Sequence, residues 1–332
     1  MRVLIVDGSN LAFRIYSSFA ESKAGPLKTS FGIPTSVIFG ILNTFESFTK
    51  IGSNGSVDKT IVCWDLSGGS KFRKGIFPLY KKNRSYKDMS EYFEELDAAR
   101  NHLNSLGILQ APCQGIEADD VIGWFAEKYS SDGHKVILFS DDKDYYQLLK
   151  KNVKLWRPCV NEFYELRHFN DEHNFKPKKQ ILIDALTGQE KDNIPGACDL
   201  VQNKDKTWSI KKYGFGPAKA IALLEAADWS LKTLRAMLTA NTVKCNPTHR
   251  EQLLKNWRNV LLSRKLSKIR TSDEDYSTEE REVLQKAYDD TMAQSSVKFS
   301  KVQRVAKTLE FRSLGNKLPS VLGKIGVKVD VK

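Results

Sequence analysis

Three short runs, Arg2–Val6 (RVLIV), Lys59–Trp64 (KTIVCW) and Lys135–Phe139 (KVILF), are apolar and rich in β-branched residues, with no polar alternation. Strands of that kind have both faces covered, which calls for a parallel sheet sandwiched between helices. How the runs end limits the fold further. Asp7 follows the first, Asp65 the second, and Asp142 and Asp144 lie just past the third. In open α/β sheets, ligands sit beyond the carboxyl ends of the strands, so folding would gather these carboxylates on one edge. Two more acidic groups, Glu117/Asp119/Asp120 and Asp192, complete the set. A single Asp at a strand end is explained by capping of the next helix. Three acids at one helix start exceed what a cap needs. Two carboxylates 4 Å apart repel by about 1 kcal/mol in water and about 4 kcal/mol at an intermediate dielectric. Such a nest suits a hard divalent cation such as Mg²⁺ or Mn²⁺.

The rest of the chain has the opposite sign. Its 52 Lys and Arg against 40 Asp and Glu give a net charge of +12, which favours a polyanionic partner such as nucleic acid. Five scattered cysteines, Cys63, Cys113, Cys159, Cys198 and Cys245, form no C-x-x-C pair, so neither a disulfide framework nor a zinc site is expected. No apolar run is long enough for a membrane span and no leader precedes the first strand. A soluble protein of a reducing cytoplasm is the expectation.

Helical spacing over Thr35–Phe48 and Asp119–Tyr129 supplies the covering layers. From about Lys178 the pattern becomes helical, through Lys179–Thr187, Ala218–Leu224, Ser230–Leu238, Glu251–Leu266 and Val283–Gln294. The last segment, with Gly315, Pro319 and Gly323, reads as irregular and basic. These patterns predict an α/β domain over residues 1–177 and a helical domain over 178–332.

Several motifs occur in a fixed order: Val6-Asp7-Gly8-Ser9-Asn10, Trp64-Asp65, Tyr80-Lys81-Lys82-Asn83-Arg84, Glu117-Ala118-Asp119-Asp120, Asp142-Lys143-Asp144-Tyr145-Tyr146-Gln147-Leu148, Gly188 through Gly196, and Gly214-Phe215-Gly216-Pro217-Ala218-Lys219-Ala220. Together, over roughly two thirds of the chain, they resemble the metal-dependent 5′-nucleases: phage 5′→3′ exonucleases, the 5′-nuclease domain of bacterial DNA polymerase I, and flap endonucleases. The C-terminal part is similar, more softly, to the T-even phage ribonuclease H branch. The resemblance implies a PIN-like nuclease core with a helical arch at about 66–100. It also implies a DNA-binding C-terminal domain carrying a helix-hairpin-helix-type motif at about 192–225.

It further implies two metal sites. Asp7, Asp65, Glu117 and Asp119 match the first, while Asp120, Asp142, Asp144 and Asp192 match positions shared with or belonging to the second. Gln189 stands where the family pattern has Asp, and neighbouring Glu190 is the candidate substitute, so the second ion is expected to be held more weakly. Two such ions would activate water and stabilise the leaving oxygen in phosphodiester hydrolysis, with no nucleophilic side chain. The five histidines accordingly lie outside the motifs.

Residues 71–87 hold seven cations and no acid, interleaved with aromatics, a pattern suited to phosphates and unpaired bases. By resemblance, Lys81 and Arg84 meet the scissile phosphate as catalytic cations and Tyr80 stacks on the nucleotide being cleaved. Lys71, Arg73, Lys74 and Lys82 add DNA contacts. Gly214, Gly216 and Lys219 would present a helix start to a phosphate, with K⁺ as an additional ion there. The segment 197–213, with Trp208, is longer than the usual connection: either an extension of the DNA footprint or a surface insertion.

The expected activity is removal of RNA primers or DNA flaps during replication, by a monomer acting on DNA with 5′ flaps, nicks or ends and on RNA/DNA hybrids. Single-strand-binding or other replication proteins of a bacterial or phage-infected cell are the implied protein partners. A structure-specific DNA-binding protein with weakened catalysis is the alternative, motivated by Gln189. A Rossmann-type nucleotide enzyme is disfavoured, because no G-x-G-x-x-G follows the first strand.

Overall fold

The structure, a computed structural model, describes residues 1–23, 25–84, 89–204, 208–211, 215–293 and 295–330. A six-stranded sheet has the order β3-β2-β1-β4-β5-β6. Its strands are β1 (Arg2–Asp7), β2 (Lys59–Cys63), β3 (Leu109–Ala111), β4 (Lys135–Phe139), β5 (Val153–Arg157) and β6 (Glu162–Tyr164). The first five are mutually parallel and β6 is antiparallel to β5. Each of the three apolar runs is a strand, and Val3 through Val6 are completely buried at the sheet centre.

The chain order reverses at β1, whose neighbours are β2 and β4. That is the switch point at which such sheets open a crevice for ligands. Parallel register sets Asp7 opposite Cys63 on one side and Val6 opposite Phe139 on the other. The acids that follow these strands are therefore delivered to the same edge.

Contacts divide the chain into two units: Met1–Gly69 with Lys87–Phe169 and Arg270–Lys332, and Ser70–Tyr86 with Asn170–Ile269. This corrects the expected single boundary near Pro177. The reason lies in the C-terminal segment, which is neither irregular nor part of the helical unit. It forms helices Phe299–Thr308, Arg312–Gly315 and Leu318–Lys324 and strand Lys328–Asp330, which pairs in parallel with Ser296–Lys298. Val302, Leu309, Leu318, Leu322 and Ile325 join Leu42, Phe45 and Leu103 in one buried cluster. Burying a Val or Leu side chain is worth about 1.5–3 kcal/mol, so this face decides where the segment packs. The segment expected to form an arch is likewise divided: helix Lys71–Ile76 groups with the helical unit, and helix Ser90–Ser105 packs in the α/β unit.

In the helical unit, Gln180–Thr187 packs against Trp257–Ser267 and Pro217–Ala226. The unexpected element is a two-stranded antiparallel ribbon, Asp199–Gln202 with Trp208–Lys211, built from the long connection. Trp208 is 37% exposed on it.

Candidate active site

Asp7 ends β1 and caps helix Gly8–Ala20, its Oδ1 accepting from the Asn10 amide at 3.0 Å. Its Oδ2 faces the Ser140 hydroxyl at 3.3 Å and the Tyr145 hydroxyl at 3.0 Å. The Tyr145 hydroxyl also lies 2.6 Å from Asp119 Oδ1. A tyrosine hydroxyl has one proton to give. It cannot donate to two ionised carboxylates at once, so this bridge is complete only if one carboxyl carries a proton.

Burial is the largest cause that pushes the Asp7 carboxyl up, to about 7; the charges of Asp65 and Asp142 add to it, against the Asn10 and Tyr145 hydrogen bonds. The Tyr145 hydroxyl is held in its neutral form by burial and by Asp119 and Asp7. Asp65, just past β2, accepts from the Ala118 amide at 2.8 Å, while its own amide donates to Ser9 at 2.7 Å. Those two bonds tie the end of β2 to the starts of helices Ala118–Ser131 and Gly8–Ala20. Asp142 caps the turn Lys143–Leu148 by accepting from the Asp144 amide at 2.9 Å, and its own amide donates to Ser140. Glu117, buried, is the residue before helix Ala118–Ser131.

Among the described residues, no three His, Cys, Asp or Glu side chains form a ready-made metal cage. The site offers instead several oxygen donors spaced around Tyr145 and carrying more negative charge than burial tolerates. That suits a cation such as Mg²⁺, which keeps several of its waters and takes only one or two carboxylates directly. It does not suit a soft metal, because Cys63, the last residue of β2, is completely buried with its thiol pushed far up by burial.

Asp120 has a different environment from its neighbours. It is completely buried, and its two oxygens accept from Arg270, Oδ1 from the amide at 3.0 Å and Oδ2 from Nε at 2.8 Å. Arg270 in turn reaches both Glu280 oxygens at 3.0 Å and lies over the Tyr276 ring. Helical geometry explains the split, since residues 119 and 120 point about 100° apart. The expectation that Asp120 is a metal ligand is corrected: both of its oxygens are engaged by Arg270, Oδ2 in an internal ion pair and Oδ1 by the backbone amide.

Asp192, Gln189 and Glu190 belong to the helical unit. There Asp192 pairs with Arg84, the Asp192 carbonyl accepts from the Lys81 amide at 2.9 Å, and Asn83 donates to the Glu190 carbonyl at 2.9 Å. Asn193 closes the joint by donating to the Leu79 carbonyl at 2.7 Å. The two segments are thus stitched together, with Lys81 at a positive φ of 54°.

Two of the expected DNA contacts are corrected by the same unit. Arg73 is 4% exposed and donates to the Leu266 and Lys268 carbonyls at 2.9 Å, so it is an internal brace. Tyr80 is 3% exposed in a cluster with Phe77, Ile194 and Leu266, its ring beneath Lys81, and offers no face to a base. Lys71, Lys74, Lys82 and Lys219 are exposed, and Gly216 precedes helix Pro217–Ala226. Gly214 lies outside the described residues.

Gly188 ends helix Gln180–Thr187 at φ 72° and ψ 177°, a region essentially restricted to glycine. A Cβ there would fall 2.5 Å from the Ile194 carbonyl oxygen and 2.8 Å from the Gly196 amide nitrogen. Gly188→Ala is therefore expected to cost about 3 kcal/mol, read by urea unfolding of the helical unit. A loss under about 0.5 kcal/mol would contradict this geometry.

Sequence reasoning placed Tyr145 inside a motif but gave it no role; its position one residue past Asp144 was the available signal. Arg270 carried no signal at all, since nothing local marks it as the partner of a residue 150 positions earlier.

Comparison with known proteins agrees with this architecture. Residues 2–179 match the model of the 5′-3′ exonuclease N-terminal resolvase-like domain. The chain is 31% identical to a 5′-3′ exonuclease of Buchnera aphidicola over 211 residues, which is 64% of this chain and 70% of that protein. It is 30% identical over 272 residues to the thermostable DNA polymerase I of Thermus aquaticus, covering 81% of this chain but 29% of the polymerase. A structure of the bacteriophage T5 D15 flap endonuclease with DNA and metal ions shares the fold at a TM-score of 0.65 and 20% identity, over 88% of this chain and all of that one. With a family model spanning more than half of its length and acids gathered at the switch point of its sheet, the chain belongs to the 5′-3′ exonuclease family.

Proposed function

We propose that this protein is a structure-dependent 5′-nuclease that hydrolyses phosphodiester bonds in DNA or RNA primer strands with a divalent cation, Mg²⁺ or Mn²⁺, at the Asp7 cluster. The observation that carries this reading is the Tyr145 bridge between Asp7 and Asp119, an oxygen-only site with an excess of negative charge. Asp7, Asp65, Glu117 and Asp119 would hold the cation, with Asp142 and Asp144 beside them. The cation supplies activation of water and charge stabilisation of the phosphoryl oxygens. Tyr145 keeps Asp7 and Asp119 in register, and the Ala118 and Ser9 bonds hold Asp65.

In the helical unit, Lys81 and Arg84 are proposed to neutralise a phosphate of the bound strand. The Asp192 ion pair holds Arg84 ready in the absence of that strand. Lys71, Lys74, Lys82 and Lys219, all exposed, would follow the duplex backbone. DNA with metal ions in the T5 relative's structure supports the substrate class. Removal of primers or flaps in replication is the biological setting proposed. Among the described residues no helix is long and apolar enough to cross a membrane.

The test uses 5′-labelled flap and nicked duplexes with Mg²⁺ or with EDTA. Release of short 5′ products only with the metal is expected. Asp65→Ala should lower cleavage at least about 100-fold while leaving flap binding intact. Tight metal-independent binding without cleavage by the unmodified chain would replace this reading with that of a DNA-binding protein of weakened catalysis, the alternative raised by Gln189.

A further inference from the structure

We propose that the α/β unit carries a second phosphate-binding surface, the groove lined by His102, Lys298, Lys301 and Arg304, which takes the backbone of duplex DNA away from the acidic cluster. The proposal rests on the nuclease reading above and extends it to a part of the chain that none of the motifs covers. From Lys298 to Lys332 the sequence holds nine Lys or Arg against Glu310 and Asp330, a net +7 of the chain's +12. Charge so concentrated costs self-repulsion unless a partner anion offsets it.

The structure shows how this charge is displayed. Helix Phe299–Thr308 buries Val302, Val305 and Ala306 in the large core cluster. Its outer face then presents Lys301, Arg304 and Thr308, which follow the i, i+3, i+4 spacing of one ridge. Lys298, the last residue of strand Ser296–Lys298, is fixed beside the helix start by pairing with Lys328–Asp330. Helix Ser90–Ser105 forms the opposite wall through His102 and Ser105.

The groove has a volume of about 410 Å³ and no carboxylate in its lining; Ser105, Ser300 and Thr308 add hydroxyl groups. Among the described residues, Lys298, Lys301 and Arg304 have no acidic partner within 4 Å, although Lys317 and Lys328 nearby in sequence each have one. Burial holds His102 toward its neutral form, so one ring N–H remains available as a donor. Ten residues of helix span about 15 Å. A DNA strand places one phosphate per about 3.4 Å of its axis, so this row faces about four phosphates of one strand. A rigid row of cations and hydroxyls suits that polyanion better than a single small anion.

The experiment compares the full-length protein with Lys298→Gln/Lys301→Gln/Arg304→Gln and with a charge-matched control, Lys135→Gln/Lys151→Gln/Lys286→Gln. All six residues are exposed, so both variants should fold. Binding of 5′-flap DNA is measured in EDTA from 50 to 200 mM salt. The groove variant should lose about 2–3 units of the slope of log affinity against log salt, and bind about 10- to 100-fold more weakly at 50 mM, with the control near the unmodified protein. Its single-turnover cleavage at saturating DNA with Mg²⁺ should be unchanged.

Equal losses in both variants would reduce the effect to net charge and overturn the proposal. So would an unaltered slope in the groove variant. The His102 ring resonances should shift on adding a short duplex but not on adding inorganic phosphate at the same concentration. Equal shifts would make the groove a small-anion site and overturn the assignment to DNA. If the unmodified chain neither binds nor cleaves flap DNA, the nuclease reading itself falls, a result distinct from all of these.

Discussion

Asp7→Asn is expected to abolish cleavage and yet make the metal-free protein more stable at pH 8. Folding lifts the Asp7 carboxyl from 3.8 to about 7, chiefly by burial and then by Asp65 and Asp142. The folded state therefore binds this proton more tightly than the unfolded state does. Its contribution is intact below about pH 4 and is lost as the pH rises through about 7, above which the deficit is constant. At about 1.4 kcal/mol per pH unit, the deficit is a few kcal/mol in order of magnitude.

Asparagine keeps an oxygen for the Asn10 amide and brings an NH₂ that can donate to Ser140 or Tyr145, so the network survives without the charge. Thermal melts in EDTA at pH 5 and pH 8 should show the unmodified protein losing more stability than Asp7→Asn between the two. Mg²⁺ should restore the unmodified protein, by binding the native state, and not the variant. A less stable Asp7→Asn at pH 8 would show that the cluster is not strained by its charge. The wider point is that the negative charge useful for holding a cation is a liability to the fold until the cation arrives.

The second large effect is predicted at Arg270. Arg270→Met should destabilise the α/β unit by about 3–5 kcal/mol, because it strands the fully buried Asp120 without its counter-charge. Removing both charges, in Asp120→Leu/Arg270→Met, should recover most of that loss, since a buried ion pair and a well-packed apolar pair are close in free energy. Chemical denaturation of the two single variants and the double variant gives the coupling directly. A single-variant cost below about 1 kcal/mol, or a double variant no better than Arg270→Met, would contradict the internal pairing. The contrast with Asp65 is informative. Asp65→Ala should remove cleavage at a stability cost of only about 1–2 kcal/mol, that of the lost Ala118 bond, whereas losses at Asp120 should follow stability.

Much of the α/β unit was legible in the chain. Runs such as KVILF identify buried strands because covering both faces leaves no room for polar alternation, and Lys135–Phe139 is a strand with those bounds. The ends of such strands are equally visible. Asp7, Asp65 and Asp142 are read as neighbours because a parallel sheet aligns its carboxyl ends. The basic stretch 71–87 was a poorer guide. Arg73 and Tyr80 look like nucleic-acid contacts by type, yet each is consumed by packing within the helical unit.

The sequence alone determined three of the six sheet strands, the edge at which their acids gather and the family, because these depend on local hydrophobic pattern and on the order of short motifs. Tertiary structure decided which acids face that edge. Asp119 and Asp120 are adjacent and chemically alike, but one meets Tyr145 and the other meets Arg270. It also decided that the basic C-terminal segment packs on the α/β unit. Both outcomes depend on partners far away in the chain, chosen by burial and charge compensation, and no local spacing records them.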